Sequence, residues 1–162
     1  LPRLLAGAGI SLPLVIAGDG PWRDRIAREA SELGLDFRFY DWLDNDAVLR
    51  LMSKAVALLF PSAWQEPLSR VLLEGCGAGA AIVALDTGGT ADVVEHGISG
   101  WLAHDLDEFA AGLRAVASDV GLNSDLRRGA RERAEGKFAA PVVCAQVEEL
   151  YRSLLERKAV GQ

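Results

Sequence analysis

Two cysteines, two histidines and a shortage of positive charge remove several classes of function before any motif is read. Cys76 and Cys144 have no CxxC spacing, so there is no disulfide framework; isolated structural thiols in a reducing cytosol are the expectation. His96 and His104 do not complete a ligand series with them, and no metal site is predicted. Lys and Arg number 17 against 23 Asp and Glu, a formal charge of -6, which argues against a phosphate-tracking nucleic-acid surface.

Long hydrophobic runs are also missing. The opening stretch, LPRLLAGAGISLPLVIAG, is interrupted by one charge, Arg3, but its glycines and Pro13 cut it into pieces well short of the roughly 18 residues of a membrane span. It has no basic leader and no small-residue cleavage site, so it does not read as a signal peptide. With no initiator methionine, the chain is expected to begin inside a longer one.

What is present is ordinary globular composition, half hydrophobic and a quarter charged over 162 residues. A chain of about 150 residues buries roughly 68–70% of its extended surface, enough for one domain, 1–162, with its own core. LVIA at 14–17 is a short β-branched run that ends in GDGP; Trp22, Ile26, Ala30 and Leu33 then follow at helical spacing. The unit recurs: FRFY at 37–40 before a helical stretch near 45–53, VALLF at 56–60 before a helix starting at Pro67, AIVAL at 81–85 before TADVVEHG. GWLA at 100–103 is a last short strand. Alternating strands and helices, with strands apolar on both faces, predict a doubly wound parallel α/β sheet. Helices near 106–118, 123–136 and 141–158 follow, the second opening at Asn123 or Ser124 and the third carrying Pro141 in its first turn. The charged tail, 156–162, is expected to fray.

Ligands of open parallel sheets bind beyond the carboxyl ends of the strands. The loops there are GDGP, YDWLDN, PSAWQEPLS and LDTGGTAD. With Pro67 at the first helical position, Glu66 lies just outside the helix and Glu74 about 12 Å further along. The free amides around Leu68, Ser69 and Arg70 lie between them, at the positive end of the helix dipole. A ligand with a central diphosphate and hydroxyl-rich rings at both ends fits this pattern, because carboxylates accept from vicinal hydroxyls. A hydrolytic carboxylate pair would be closer, about 5–9.5 Å apart. The same residues also fit an acidic helix start and a solvated helix face.

The three blocks LVIAGDGP, LFPSAWQEPLSRVLLEGCGAG and DTGGTADVVEHGISGWL, in this order and spacing, resemble the C-terminal, donor-binding domain of the GT-B glycosyltransferases, in the retaining family four (glycosyl transferases group 1). The resemblance covers nearly the whole chain, and the middle block matches the family's E-x7-E motif. It implies a Rossmann-like fold in which Glu66 holds the donor sugar as the catalytic carboxylate and Glu74 accepts from the ribose hydroxyls. Leu68 and Ser69 stand where the family usually has Phe and Gly, with amides that meet the sugar and phosphates, and Arg70 reaches the phosphates or a neighbouring domain. Gly18 and Gly20 line the cleft; Asp41 and Trp42 border the base, Asp41 standing where the family often has Gly. Gly88, Gly89 and Thr90 approach the donor from the opposite side. Trp42 could stack on a base, although all four tryptophans also suit packing or an interface.

The family's first strand, with its glycine loop and the Arg and Lys that hold the diphosphate, has no counterpart, and residues 1–12 read as the tail of the helix that follows it. By analogy that strand is central, so its neighbours' edges would be exposed. The implied activity is sugar transfer with retention from a UDP or GDP sugar, without metal or cofactor, by a cytoplasmic hexosyltransferase of polysaccharide biosynthesis. An N-terminal acceptor domain would complete the cleft and could carry peripheral membrane association; the chain alone is expected to be inactive. Three other readings stay open: a noncatalytic nucleotide-sugar module, an epimerase or phosphorylase on the same architecture, and a partner-binding domain.

Overall fold

The computed structural model describes residues 1–160, with the backbone alone for 158–160. Its strands are β1 (Leu14–Ala17), β2 (Phe37–Tyr40), β3 (Leu58–Phe60), β4 (Ile82–Leu85) and β5 (Trp101–Ala103). Helices α1 (Pro2–Gly7), α2 (Arg23–Glu32), α3 (Asn45–Lys54), α4 (Arg70–Gly77) and α5 (Thr90–Val93) alternate with them. After β5 the chain continues as α6 (Leu106–Ser118), α7 (Val120–Arg133), a π-helical turn (Ala134–Phe138) and α8 (Ala140–Val160). The alternation read from the sequence is therefore present. The tail expected to fray is helical as far as Val160, and residues 161–162 lie outside the described residues.

Every ladder is parallel, but the sheet is divided: β1 pairs with β2, and β3, β4 and β5 form a second sheet with β4 in the middle. The parallel α/β class read from the sequence holds, and the exposed edges expected beside the absent first strand lie at β1 and β3. Among the described residues, β1 and β3 each have a ladder partner on one side only. What joins the two sheets is apolar packing: Leu5, Leu14 and Leu113 form a buried cluster that also receives Ile16 of β1 and Leu59 of β3.

Among the described residues, β4 is the only strand buried at every position. Its side chains alternate between two clusters, Ile82 and Ala84 meeting Leu72 and Cys76 of α4, and Val83 and Leu85 meeting Phe109, Val116 and Leu126 of α6 and α7. The edge strands are wetter, since Val15 and Tyr40 are exposed. Full coverage on both faces thus holds at β4 and not across β1 and β2.

Side-chain caps set the helix starts. Asp44 accepts from the Ala47 amide (2.7 Å) to open α3, and Asp105 accepts from Glu108 (2.8 Å) to open α6. Asp119 accepts from Leu122 (2.9 Å), so α7 begins at Val120 and not at Asn123 or Ser124. Asn123 instead donates to the carbonyls of Val56 (2.8 Å) and Val116 (3.1 Å), tying α7 to the approach to β3. Arg127 donates to Ala55 (2.9 Å) beyond α3, and Arg133 to Val93 (2.7 Å) at the end of α5, placing cations on helix carboxyl ends.

Two predictions follow from this packing. A Cβ on Gly129 of α7 would lie 2.0 Å from the carbonyl oxygen of Ile98, which is backbone and cannot swing aside. Gly129→Ala should therefore destabilise the chain by about 1–3 kcal/mol in urea unfolding, although alanine favours a helix by about 1 kcal/mol. Burial pushes the Cys76 thiol up to about 11, with Arg133 opposing, while Cys144 is exposed. At about pH 8 a thiol reagent should label Cys144 alone until the chain is denatured. Since the folded state keeps the Cys76 proton to higher pH, its contribution is complete below the ordinary thiol value of about 8.5 and is lost as pH rises through the folded one.

Candidate functional site

The predicted residues gather at the carboxyl ends of the strands in two groups. On the first sheet, Gly18 follows β1 with φ of +122° and its N–H points at the carbonyls of Tyr40 (3.0 Å) and Asp41 (3.2 Å), which joins the β1 and β2 loops. The Gly20 amide donates to Asp19 Oδ1 (2.8 Å). Arg23, at the start of α2, forms an ion pair with Asp41 and lies over the Phe39 ring. The hydrogen bond and charge of Asp41 raise the guanidinium pKa above its ordinary value, against a partial cost of desolvation. Trp42 is 91% exposed, and Trp22 and Trp64 also face solvent. Packing therefore does not account for these three; Trp101 alone is half-buried, edge-on to His96.

The second group spans the segment between β3 and α4 and the loop after β4. Here the helix start differs from expectation: α4 begins at Arg70, with Ser69 as its N-cap, and not at Pro67. A helix from Pro67 would need the Glu66 carbonyl to accept from the Arg70 amide. That carbonyl instead accepts from Gly89 (2.8 Å), so the segment 66–68 stays extended or bent until Ser69. The 12 Å separation of Glu66 and Glu74 along one helix consequently does not apply.

The consequence is a row of free donors. The amides of Leu68, Ser69, Arg70, Val71 and Leu72 have no acceptor among the described residues; the first helical bond runs from Leu73 to Ser69 (3.2 Å). Ser69 is buried and its hydroxyl makes no capping bond, while Leu68 is half exposed. Glu66 is half-buried, with a carboxylate that has no hydrogen-bond or ion-pair partner among the described residues. Glu74 is paired with Arg70 (3.2 Å), one turn earlier on α4. Free amides at a helix start are suited to an anion, and Glu66 and Glu74 precede and follow them in the chain.

The glycine loop closes on this segment. Thr87 Oγ1 donates to the Ser62 carbonyl (2.9 Å), and the Gly88 amide to Gln65 Oε1 (2.8 Å). Thr90 is buried, its hydroxyl donating to the Thr87 carbonyl (2.7 Å), so Gly89 and Thr90 also open α5. Their amides are engaged within the protein. Sequence reasoning missed Gln65 and Thr87, because a side chain that meets a loop more than twenty residues away leaves no periodic signal.

The sequence profile described as "Glycosyl transferases group 1" matches residues 1–133. The chain belongs to the glycosyl transferases group 1 family. Among curated relatives, glycogen synthase of Mycobacterium tuberculosis is 30% identical over 142 residues, covering 85% of this chain and 34% of that protein. N-acetyl-alpha-D-glucosaminyl L-malate synthase of Bacillus anthracis is 28% identical, covering 94% of this chain and 40% of that protein. The chain thus spans well under half of these group 1 relatives. Of solved structures, Anabaena Alr3699/HepE in complex with UDP superposes with a TM-score of 0.83 at 23% identity, over 94% of this chain and 44% of that one. Sucrose-phosphate synthase of Thermosynechococcus elongatus gives 0.78 at 26%, over 96% and 42%. The fold is that of the C-terminal half of a GT-B group 1 glycosyltransferase.

Among the described residues no helix is long and apolar enough to cross a membrane. The Arg70–Glu74 pair is largely exposed on its arginine side, so Arg70→Ala should change stability by less than about 0.5 kcal/mol in chemical denaturation. That variant can then report on ligand binding without a folding defect.

Proposed function

We propose that this chain is the donor-binding half of a glycosyltransferase that moves a hexosyl group from a nucleotide-diphosphate sugar to an acceptor with retention of configuration. The observation that carries the reading is the run of unpartnered amides from Leu68 to Leu72, with the unpaired carboxylate of Glu66 before it and Glu74 beyond. In this reading the diphosphate lies on the amides at the start of α4, where the helix dipole favours the charge that develops on the leaving group. Glu66 accepts from hydroxyls of the donor sugar and orients it, and Glu74 accepts from the ribose. Arg70, one turn from Glu74, lies between ribose and phosphate and can exchange one partner for the other.

In this reading Gly18 and Gly20 line the donor cleft, and Asp41 and Trp42 border the base. With their amides engaged, Gly88, Gly89 and Thr90 serve by shape, holding a close backbone approach to Glu66. Support for a UDP donor comes from HepE, solved with UDP and with UDP-glucose. The glycogen synthase relative supports a role in polysaccharide biosynthesis, and the cytoplasm is the location proposed with it. The relatives' greater length supports an acceptor domain elsewhere in the protein that completes the cleft and the reaction.

Titrating UDP, GDP and ADP, with their glucose or mannose conjugates, into isotope-labelled chain tests this directly. One nucleotide should shift the amides of Leu68, Ser69 and Arg70, and Glu74→Ala should weaken it by about tenfold, the value of a charged hydrogen bond. Silence from every nucleotide, repeated on a chain extended at its amino end, would remove the donor site. Binding without transfer by the complete protein would favour a noncatalytic nucleotide-sugar module.

A further inference from the structure

We infer that Gln65 is a positioning residue for Glu66, acting by tying the segment between β3 and α4 to the glycine loop after β4. The inference rests on the donor-site reading above. Three bonds hold these two loops together: Ser62 to Thr87 (2.9 Å), Gln65 to Gly88 (2.8 Å) and Glu66 to Gly89 (2.8 Å). Inside the segment, among the described residues, the bonds are short and local, from the Glu66 amide to the Trp64 carbonyl (2.8 Å) and from the Trp64 amide to Ser62 Oγ (3.3 Å). Neither fixes the segment to the body of the protein.

The Glu66 carboxylate has no partner of its own among the described residues, so its place depends on its backbone. That backbone is gripped from one side. A Cβ on Gly88, which has φ of +52°, would fall 2.4 Å from the Glu66 oxygen and 2.7 Å from its nitrogen. On Gly89 it would fall 1.8 Å from the Pro67 oxygen. Such contact is available to glycine alone and leaves the two backbones in register. Of the three bonds, the one from Gly88 is the only one accepted by a side chain, with Oε1 of Gln65 reaching past the backbone to the neighbouring amide. It orients the residue immediately before Glu66, where a small rotation would swing the carboxylate away from a sugar lying over the α4 amides.

The test compares wild type, Gln65→Leu, which keeps the bulk and loses the acceptor, and Gln65→Glu, which keeps an acceptor. Two readouts are used on the same samples. The first is hydrogen exchange at Gly88 and Gly89, which Gln65→Leu should accelerate about tenfold and Gln65→Glu should leave near wild type. The second is the affinity ratio between the nucleotide sugar and the bare nucleotide, for whichever of UDP, GDP or ADP binds. Gln65→Leu should cut that ratio about fivefold with the bare nucleotide unchanged, since Glu66 meets the sugar and the α4 amides meet the diphosphate. Gln65→Glu should restore the ratio. Wild-type exchange in Gln65→Leu, or faster exchange with an unchanged ratio, overturns the positioning role while leaving the donor site standing. Should neither wild type nor a chain extended at its amino end bind any nucleotide, the donor-site reading itself fails and takes this role with it.

Discussion

Complete burial of β4 is the constraint around which the fold is arranged. A strand of Ile, Val, Ala and Leu with no exposed face must be covered twice, and its two-residue alternation hands Ile82 and Ala84 to one cluster, Val83 and Leu85 to another. Covering the first face brings α4 onto the sheet, and covering the second brings α6 and α7. The lack of a Cβ at Gly75 and Gly112 lets Leu58 and Trp101 approach their helices closely. Once α4 is seated this way, its amino end opens at the carboxyl end of the strands, beside the loop that leaves β4. The candidate site is a by-product of how a fully apolar strand is hidden.

Much of this was legible in the chain. Strand and helix order followed from apolar runs and glycine turns, and the helix expected near 106–118 is α6, whose start Asp105 caps and whose Phe109, Leu113 and Val116 are buried. The blocks around Glu66 and Gly88 named the family before any coordinates. Boundaries failed where a distant group intervened. Pro67 is an excellent first helical residue, yet the Glu66 carbonyl was taken by Gly89, and the local preference yielded to a bond across the two loops. At α7, Asp119 competed with Asn123 and Ser124 for the cap and won, since Asn123 was engaged with Val56.

Among the candidate site residues, those whose role lies in backbone geometry were the easiest to foresee, and those whose role lies in side-chain reach the hardest. Glycines and glutamates at strand ends announce themselves by position. Gln65 does not, because an exposed glutamine before a glutamate has no meaning until the loop after β4 is folded against it. Arg23 is similar: its pairing with Asp41 joins the loop after β1 to the loop after β2, and neither residue suggests the other in the chain.

The divided sheet bears on how the molecule comes apart. No ladder crosses between β1 and β3 among the described residues, so the β1–β2 layer with α2 is attached through side-chain packing at Leu5, Leu14 and Leu113 and not through a shared backbone network. Opening at that seam would part the region built on β4, with Glu66 and Glu74 beside it, from the region that includes Gly18, Asp41 and Trp42. Such an opening would displace Gly18, Asp41 and Trp42 while the free amides from Leu68 to Leu72 kept their place.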